Sequence, residues 1–355
     1  VAAGCSDNPA GGRTEIDESL VDAVRAMGLR TDMIEDHGSF LLVEGDIYLP
    51  KEQLRSAPKV HSGDPLGPRF QYTTTNLVSN SKVYQIVVDL SGLNSQTAWQ
   101  SAARDAISHW SGITNTTVQM SEGSPADITV STTCTSSNIA AFASFPSGGN
   151  PGSTIYVNTC FGYSTTHDQK VHNMVHELGH TIGFRHSNYV QIGESAGTEG
   201  ANHVYGTPTS GNATGSVMNG GTALNSWAGF DWSDVTATQR RYGIPAVYPD
   251  VTNSSGTPLI SWTAVPGATS YTVLLIYYEI NENWEVVNSW AWEITTTTST
   301  SYLDTGNAYT GSVEACPTGP WGTSAFLFAY AVQATFPNGT SDVSNSQIGA
   351  PISPC

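Results

Sequence analysis

The stretch His176-Glu177-Leu178-Gly179-His180-Thr181-Ile182-Gly183-Phe184-Arg185-His186 places three of the chain's nine histidines within eleven residues. No other stretch restricts the fold so tightly. A helix that only needed a polar face would use Lys, Glu or Gln, which are better helix formers. His176 and His180 are four apart and share one helical face, about one turn from each other. Two imidazoles so placed can reach a single ion at ~2.0–2.1 Å. Glu177 then points beside the ion, where a carboxylate can take a proton from an activated water. Gly183 accepts the backbone angles of a sharp helix ending, and His186 swings back as a third ligand. Three protein ligands leave one position open, the arrangement of a catalytic zinc. His172, one turn before His176, is too far along the axis to share the ion and reads as a neighbour of the site.

Composition narrows the setting. Only 12% of residues are charged and the formal charge is −17 over 355 residues. Such a field repels phosphate backbones and anionic lipid, which speaks against a nucleic-acid partner. No apolar run approaches the ~18 residues of a transmembrane helix. The cysteines are Cys5, Cys134, Cys160, Cys316 and Cys355. Cys134–Cys160 and Cys316–Cys355 are the economical pairs, implying an oxidising compartment and leaving Cys5 odd.

Three regions follow along the chain. Residues 1–16 read as a polar, disordered lead, "DESLVDAVRAMGL" as a helix and "SFLLVEGDIYLP" as one strand. Residues 55–70, with Arg55, Lys59 and Arg69, read as an exposed, cleavable linker. From Lys82 a mixed α/β pattern runs through strands "KVYQIVVDL", "TTVQM", "ADITVST" and "STIYVN". Its two helices are "SQTAWQSAARDAISHWSGI" and one starting near Thr166, where Thr166 and Gln169 have capping-box spacing. After Pro249, alternating strands separated by turn residues predict a small β-sandwich. Sequons occur at Asn115, Asn212, Asn253 and Asn338.

The string His176–His186 resembles that of the metzincin zinc endopeptidases. With "HELGHTIGFRHS" and "SVMNGG" it is most similar to the bacterial dual-action HEIGH-type metallopeptidases, relatives of the astacins. The resemblance implies a methionine turn beneath the metal, supplied here by Met218. It also implies an α+β catalytic domain with a mixed upper sheet, an active-site helix and an irregular lower lobe. An edge strand of the upper sheet would pair with extended substrate, and residues 140–147 are read as that edge. Astacins have a tyrosine two residues after the methionine; this chain has Gly220, so no tyrosine ligand carries over. "LISWTAVPGATSYTV" resembles the opening strands of a fibronectin type III domain with Trp262 in its core.

The resulting expectation is a secreted zymogen: prosegment with linker at 1–69, zinc peptidase at 70–250, all-β fibronectin-like sandwich at 251–355. Zinc is held by His176, His180 and His186, with Glu177 as general base; the partners are protein or peptide substrates and the chain's own prosegment as inhibitor. The alternative is a surface adhesin with a structural or vestigial metal site. Carboxylates such as Asp231 and Asp234 could also take calcium, which sequence alone does not decide. Cys5 is the candidate latency ligand, since thiolate binds zinc strongly; Asp46, the residue type astacins use, is the fallback. The rival reading of "VAAGC" is a lipoprotein site, with the chain anchored to the outer cell surface through Cys5.

Overall fold

Leu20 and Val24 lie one helical turn apart, and they are the buried face of the first helix. The computed structural model describes residues 16–26, 31, 34–43, 46–56, 71–135, 138–194, 196, 198–208, 215–254, 257–280, 286–305, 325–341 and 347–348. Cys5, Cys316, Cys355, Lys59, Arg69 and Asn212 therefore lie outside the described residues. The chain forms two compact units. One comprises residues 1–79, 86–109 and 121–237; the other comprises 80–85, 110–120 and 238–355.

The first elements are α1 (Glu18–Ala26), β1 (Ile34–Asp36), β2 (Phe40–Val43), β3 (Ile47–Pro50) and α2 (Lys51–Ser56). "SFLLVEGDIYLP" is thus two antiparallel strands rather than the expected one, paired Phe40↔Pro50 through Val43↔Ile47. The apolar runs on either side of Glu44-Gly45-Asp46 are each too short to show the break, which only the turn residues mark. Alternation sends Leu41, Val43, Ile47 and Leu49 to one face, where they form a core with Leu20, Val24 and Leu54. The partly buried Phe145 packs against that core.

Next come β4 (Tyr72–Thr73), β5 (Ile86–Asp89), α3 (Thr97–Ser111), β6 (Met120–Glu122), β7 (Ile128–Thr133), β8 (Ala141–Ala143) and β9 (Thr154–Asn158). They are followed by α4 (His167–Thr181), β10 (Asn202–His203) and α5 (Trp232–Tyr242). The main sheet has eight strands in the order β1-β2-β3-β8-β9-β7-β5-β6. It is mixed, as expected: β8 runs antiparallel to β9, while β9 with β7 and β7 with β5 are parallel. Residues 140–147 are not a free edge. β3 lies against β8 in parallel, Ile47 opposite Ala143, and the Ala143 N–H donates to the Asp46 carbonyl at 2.8 Å. The outward residues of this seam form an aromatic cluster: Phe40 and Tyr48 lie 5.8 and 6.3 Å from Phe142, and Tyr48 lies 5.3 Å from Tyr156. The Cys134–Cys160 disulfide is present, joining the end of β7 to the turn after β9.

The second unit carries β11 (Asp250–Ser254), β12 (Thr257–Ser261), β13 (Ser270–Ile280), β14 (Val286–Thr297), β15 (Ser301–Leu303), β16 (Ala325–Phe336), β17 (Gly339–Thr340) and β18 (Gln347–Ile348). These make a three-stranded sheet, β11-β12-β15, and a larger sheet in which β13 lies between β14 and β16. Val247, Ile260, Trp262, Tyr271, Val273, Tyr330 and Val332 share one core, which buries the expected tryptophan. The sequon nitrogen of Asn338 is already engaged, donating to the Ile113 carbonyl at 2.9 Å.

Candidate metal centre

α4 starts as its sequence requires. The Thr166 hydroxyl accepts from the Gln169 N–H and the Gln169 side chain accepts from the Thr166 N–H, closing a capping box. Asp168 adds a negative charge to the positive end of the helix. The helix ends at Thr181, and the chain turns away at Gly183, whose φ is +101°. A Cβ there would lie 2.7 Å from Leu77 Cδ2, so the position excludes a side chain on both counts. Beyond it the chain is pinned by residues of β4 and its neighbour: the Arg185 N–H donates to the Tyr72 carbonyl at 2.9 Å, and Thr74 N–H donates to Gly183 at 2.8 Å. That return brings His186 back beside the helix.

Each imidazole is aimed by its Nδ1. His176 donates to the Val217 carbonyl at 2.7 Å, His180 to the Phe184 carbonyl at 2.8 Å and His186 to the Glu194 carboxylate at 2.5 Å. The three Nε2 atoms are thereby left to converge, those of His176 and His186 lying 3.3 Å apart. All three residues are at most 5% exposed, so the convergence is buried. Into it comes Asp46, whose Oδ2 is 2.8 Å from His186 Nε2, 3.4 Å from His176 and 3.9 Å from His180. The four potential ligand atoms lie within 4.8 Å of one another. Sequence analysis had made Asp46 only the fallback to Cys5.

The donor set fits a metal ion on two grounds. Three imidazole nitrogens with a carboxylate suit zinc chemistry. Moreover, His180 Nε2 and Glu177 Oε2 are buried without a hydrogen-bond partner among the described residues, which is costly unless something else meets them. Burial lowers the His180 pKa to about 4, holding its ring neutral as a ligand requires. Burial also lifts Glu177 well above the usual carboxylate range, and the charge of Asp46 lifts it further. Burial opposes the ionisation of Asp46, yet His186 and the other two imidazoles hold it well below its ordinary value.

The loop expected to form the methionine turn carries Val217, the acceptor of His176. Met218 is 1% exposed, its carbonyl accepts from Ser187 N–H at 2.8 Å, and its N–H donates to Ser216 Oγ at 3.1 Å. Asp234 anchors this turn by accepting from Ser216 Oγ at 2.6 Å, Val217 N–H at 3.0 Å and Gln71 Nε2 at 2.6 Å. Asp231, the other carboxylate named for calcium, accepts from the N–H and hydroxyl of Ser233. Gly220 abuts the centre: a Cβ there would come within 3.1 Å of His186 Nδ1. His172 stays outside the converging set and hydrogen-bonds Thr222 at 2.9 Å. Beside His176 and Glu177 opens a cavity of about 370 Å³, walled by Ala141, His172, Ile192, Gly221 and Thr222. Sequence reasoning missed Glu194 and the anchoring role of Asp234. Glu194, 7% exposed, would have shown itself only as a lone acid in the weakly polar stretch "NYVQIGESAG".

A family model described as dual-action HEIGH metallo-peptidase matches residues 41–242. The match takes in β2, β3 and Asp46 as well as α4. No curated protein matches the chain. Among solved structures the chain is similar to myroilysin, at 15% identity and a TM-score of 0.33, over 48% of this chain and 98% of that one. It is also similar to high choriolytic enzyme 1, a hatching enzyme zinc-protease from the medaka fish Oryzias latipes. There the identity is 11% and the TM-score 0.32, over 51% of this chain and 98% of that one.

Proposed function

The chain belongs to the dual-action HEIGH metallopeptidase family and is a metzincin-type zinc peptidase, and on that premise we propose that it is a secreted endopeptidase whose N-terminal segment holds it latent through Asp46. His176, His180 and His186 would hold the zinc through Nε2. Bound zinc supplies a Lewis acid that activates water and polarises the scissile carbonyl. Glu177 takes the proton of the attacking water and passes it to the leaving amine. Its raised affinity for protons suits that shuttle.

The observation that carries the latent reading is the carboxylate of Asp46 at the meeting point of the three imidazoles. β3 supports it. A substrate paired antiparallel to β8 would occupy the ladder that β3 now occupies in the opposite direction. A reversed strand fills the cleft without presenting a peptide bond in the orientation for attack. On this reading residues 1–69 are the prosegment, 70–250 the peptidase and 251–355 a fibronectin-like module built round Trp262. The adhesin alternative would make Asp46 the fourth ligand of a closed structural site. Replacing Asp46 by Ala in the full chain separates the two: a latch releases peptide hydrolysis, whereas a structural site only loses metal.

A further inference from the structure

The three imidazoles are not oriented alike. His176 and His180 give their Nδ1 protons to backbone carbonyls, which are fixed by the methionine turn and the helix end. His186 gives its proton to a side chain, the carboxylate of Glu194, at 2.5 Å. A side chain can hold a ring only if it is itself held, and Glu194 is. The Glu194 N–H donates to the Tyr189 carbonyl at 2.8 Å, closing the turn that follows His186. Its other carboxylate oxygen lies 3.5 Å from the Arg185 guanidinium. Arg185, 1% exposed, donates to the carbonyls of Ala196 and Gly200 at 3.2 and 3.0 Å and stacks over the Tyr189 ring. The same turn is tied to the methionine turn by Asn188, which accepts from the Gly220 N–H at 2.9 Å.

We propose that Glu194 is a positioning residue of the metal centre: by accepting the Nδ1 proton of His186 it fixes the tautomer and aims Nε2 at the ion, while Arg185 fixes the carboxylate. The need is local. His186 stands beyond the end of α4, so no helix backbone holds its ring, and Gly220, which lies close against it, has no side chain to orient it. A charged acceptor also raises the basicity of the ligand more than a carbonyl does. Glu194 therefore does for the third ligand what the Val217 and Phe184 carbonyls do for the first two. The inference rests on His186 being a zinc ligand.

The test is zinc affinity of the full chain, measured by competition with a chelator, beside the thermal stability of the metal-free protein. Glu194→Ala should weaken zinc binding about 10- to 100-fold, the scale for losing such an acceptor. Glu194→Gln, whose amide oxygen still accepts the proton, should recover most of that loss. Should the alanine variant fail to fold, Glu194→Met, which keeps the volume and lacks the acceptor, takes its place. Zinc affinity within about threefold of the parent in the acceptor-less variant overturns the proposal, as does an equal loss in the Gln variant. His186→Ala belongs in the same titration. If it binds zinc as the parent does, His186 is no ligand and the underlying reading falls; if it binds weakly while Glu194→Ala binds normally, only the role of Glu194 falls.

Discussion

Asp46 Oδ2 lies 2.8 Å from His186 Nε2, joining residues 140 apart in the chain. The pairing of β3 with β8 holds Asp46 where this contact closes over the other two imidazoles, 3.4 Å from His176 and 3.9 Å from His180. On the latent reading, Asp46→Ala should raise peptide hydrolysis by the uncut chain at least about tenfold, a shift of ~1.4 kcal/mol in the blocked population. Cys5→Ala should leave the uncut chain silent. The reverse pattern, measured with a quenched peptide before any cleavage of the chain, would return the latch to Cys5.

Glu177 sits at the wall of the cavity and holds no position in the converging set. Glu177→Ala in an activated preparation should therefore keep its zinc and lose hydrolysis by at least ~10²-fold, the scale for a general base. Zinc content and turnover measured on one sample check both halves. Turnover near the parent rate would assign the proton transfer elsewhere.

Gly220→Ala brings a methyl within 3.1 Å of His186 Nδ1 and 2.9 Å of Ile192 Cδ1. The backbone there is tied to Asn188, so the ring must give way rather than the chain. The expected outcome is a loss of about 1–3 kcal/mol in stability together with weaker zinc binding. Chemical denaturation with and without zinc measures both. A parent-like variant would mean that the ring has slack.

His172 carries a pH signature. Burial, with the neighbouring His176, lowers its pKa to about 4. In the unfolded chain it binds a proton near pH ~6.5, so between these values the unfolded state holds the extra proton. Stability should fall as pH drops from ~6.5 to ~4, by a total of the order of 3 kcal/mol from this residue. His172→Gln should flatten that slope, read from urea titrations of metal-free protein at pH 7 and 4.5.

Much of the centre was legible because its chemistry is written locally. The spacing of His176, His180, Gly183 and His186 fixes a helix face and a turn within three turns of chain, and the capping box at Thr166 fixes where that helix begins. Several strands of the mixed sheet, among them β5, β7 and β9, were legible from alternation, whereas β2 and β3 read as one. What sequence left dark are contacts between distant segments. Asp46 meets the histidines only because β3 pairs with β8, and parallel pairing leaves no mark on either strand. Residues 140–147 read as an edge only from their position before the active-site helix, and nothing in them records the partner that covers them. Glu194 and Asp234 look like ordinary acids, and only burial beside named donors gives them a role.

The seam between β3 and β8 changes what a cut in the chain would accomplish. Severing the backbone between Ser56 and Gln71 leaves in place the strand pairing, the aliphatic core around Leu41 and Ile47 and the ring contacts of Phe40 and Tyr48. On the latent reading, the blocking segment is present before the cut at the effective concentration its own linker imposes. After it, the same segment becomes a separate molecule whose occupancy follows mass action. Opening the cleft is then a question of dilution and of what else consumes the freed piece, so a crowded sample and a dilute one, cut to the same extent, would not be equally open.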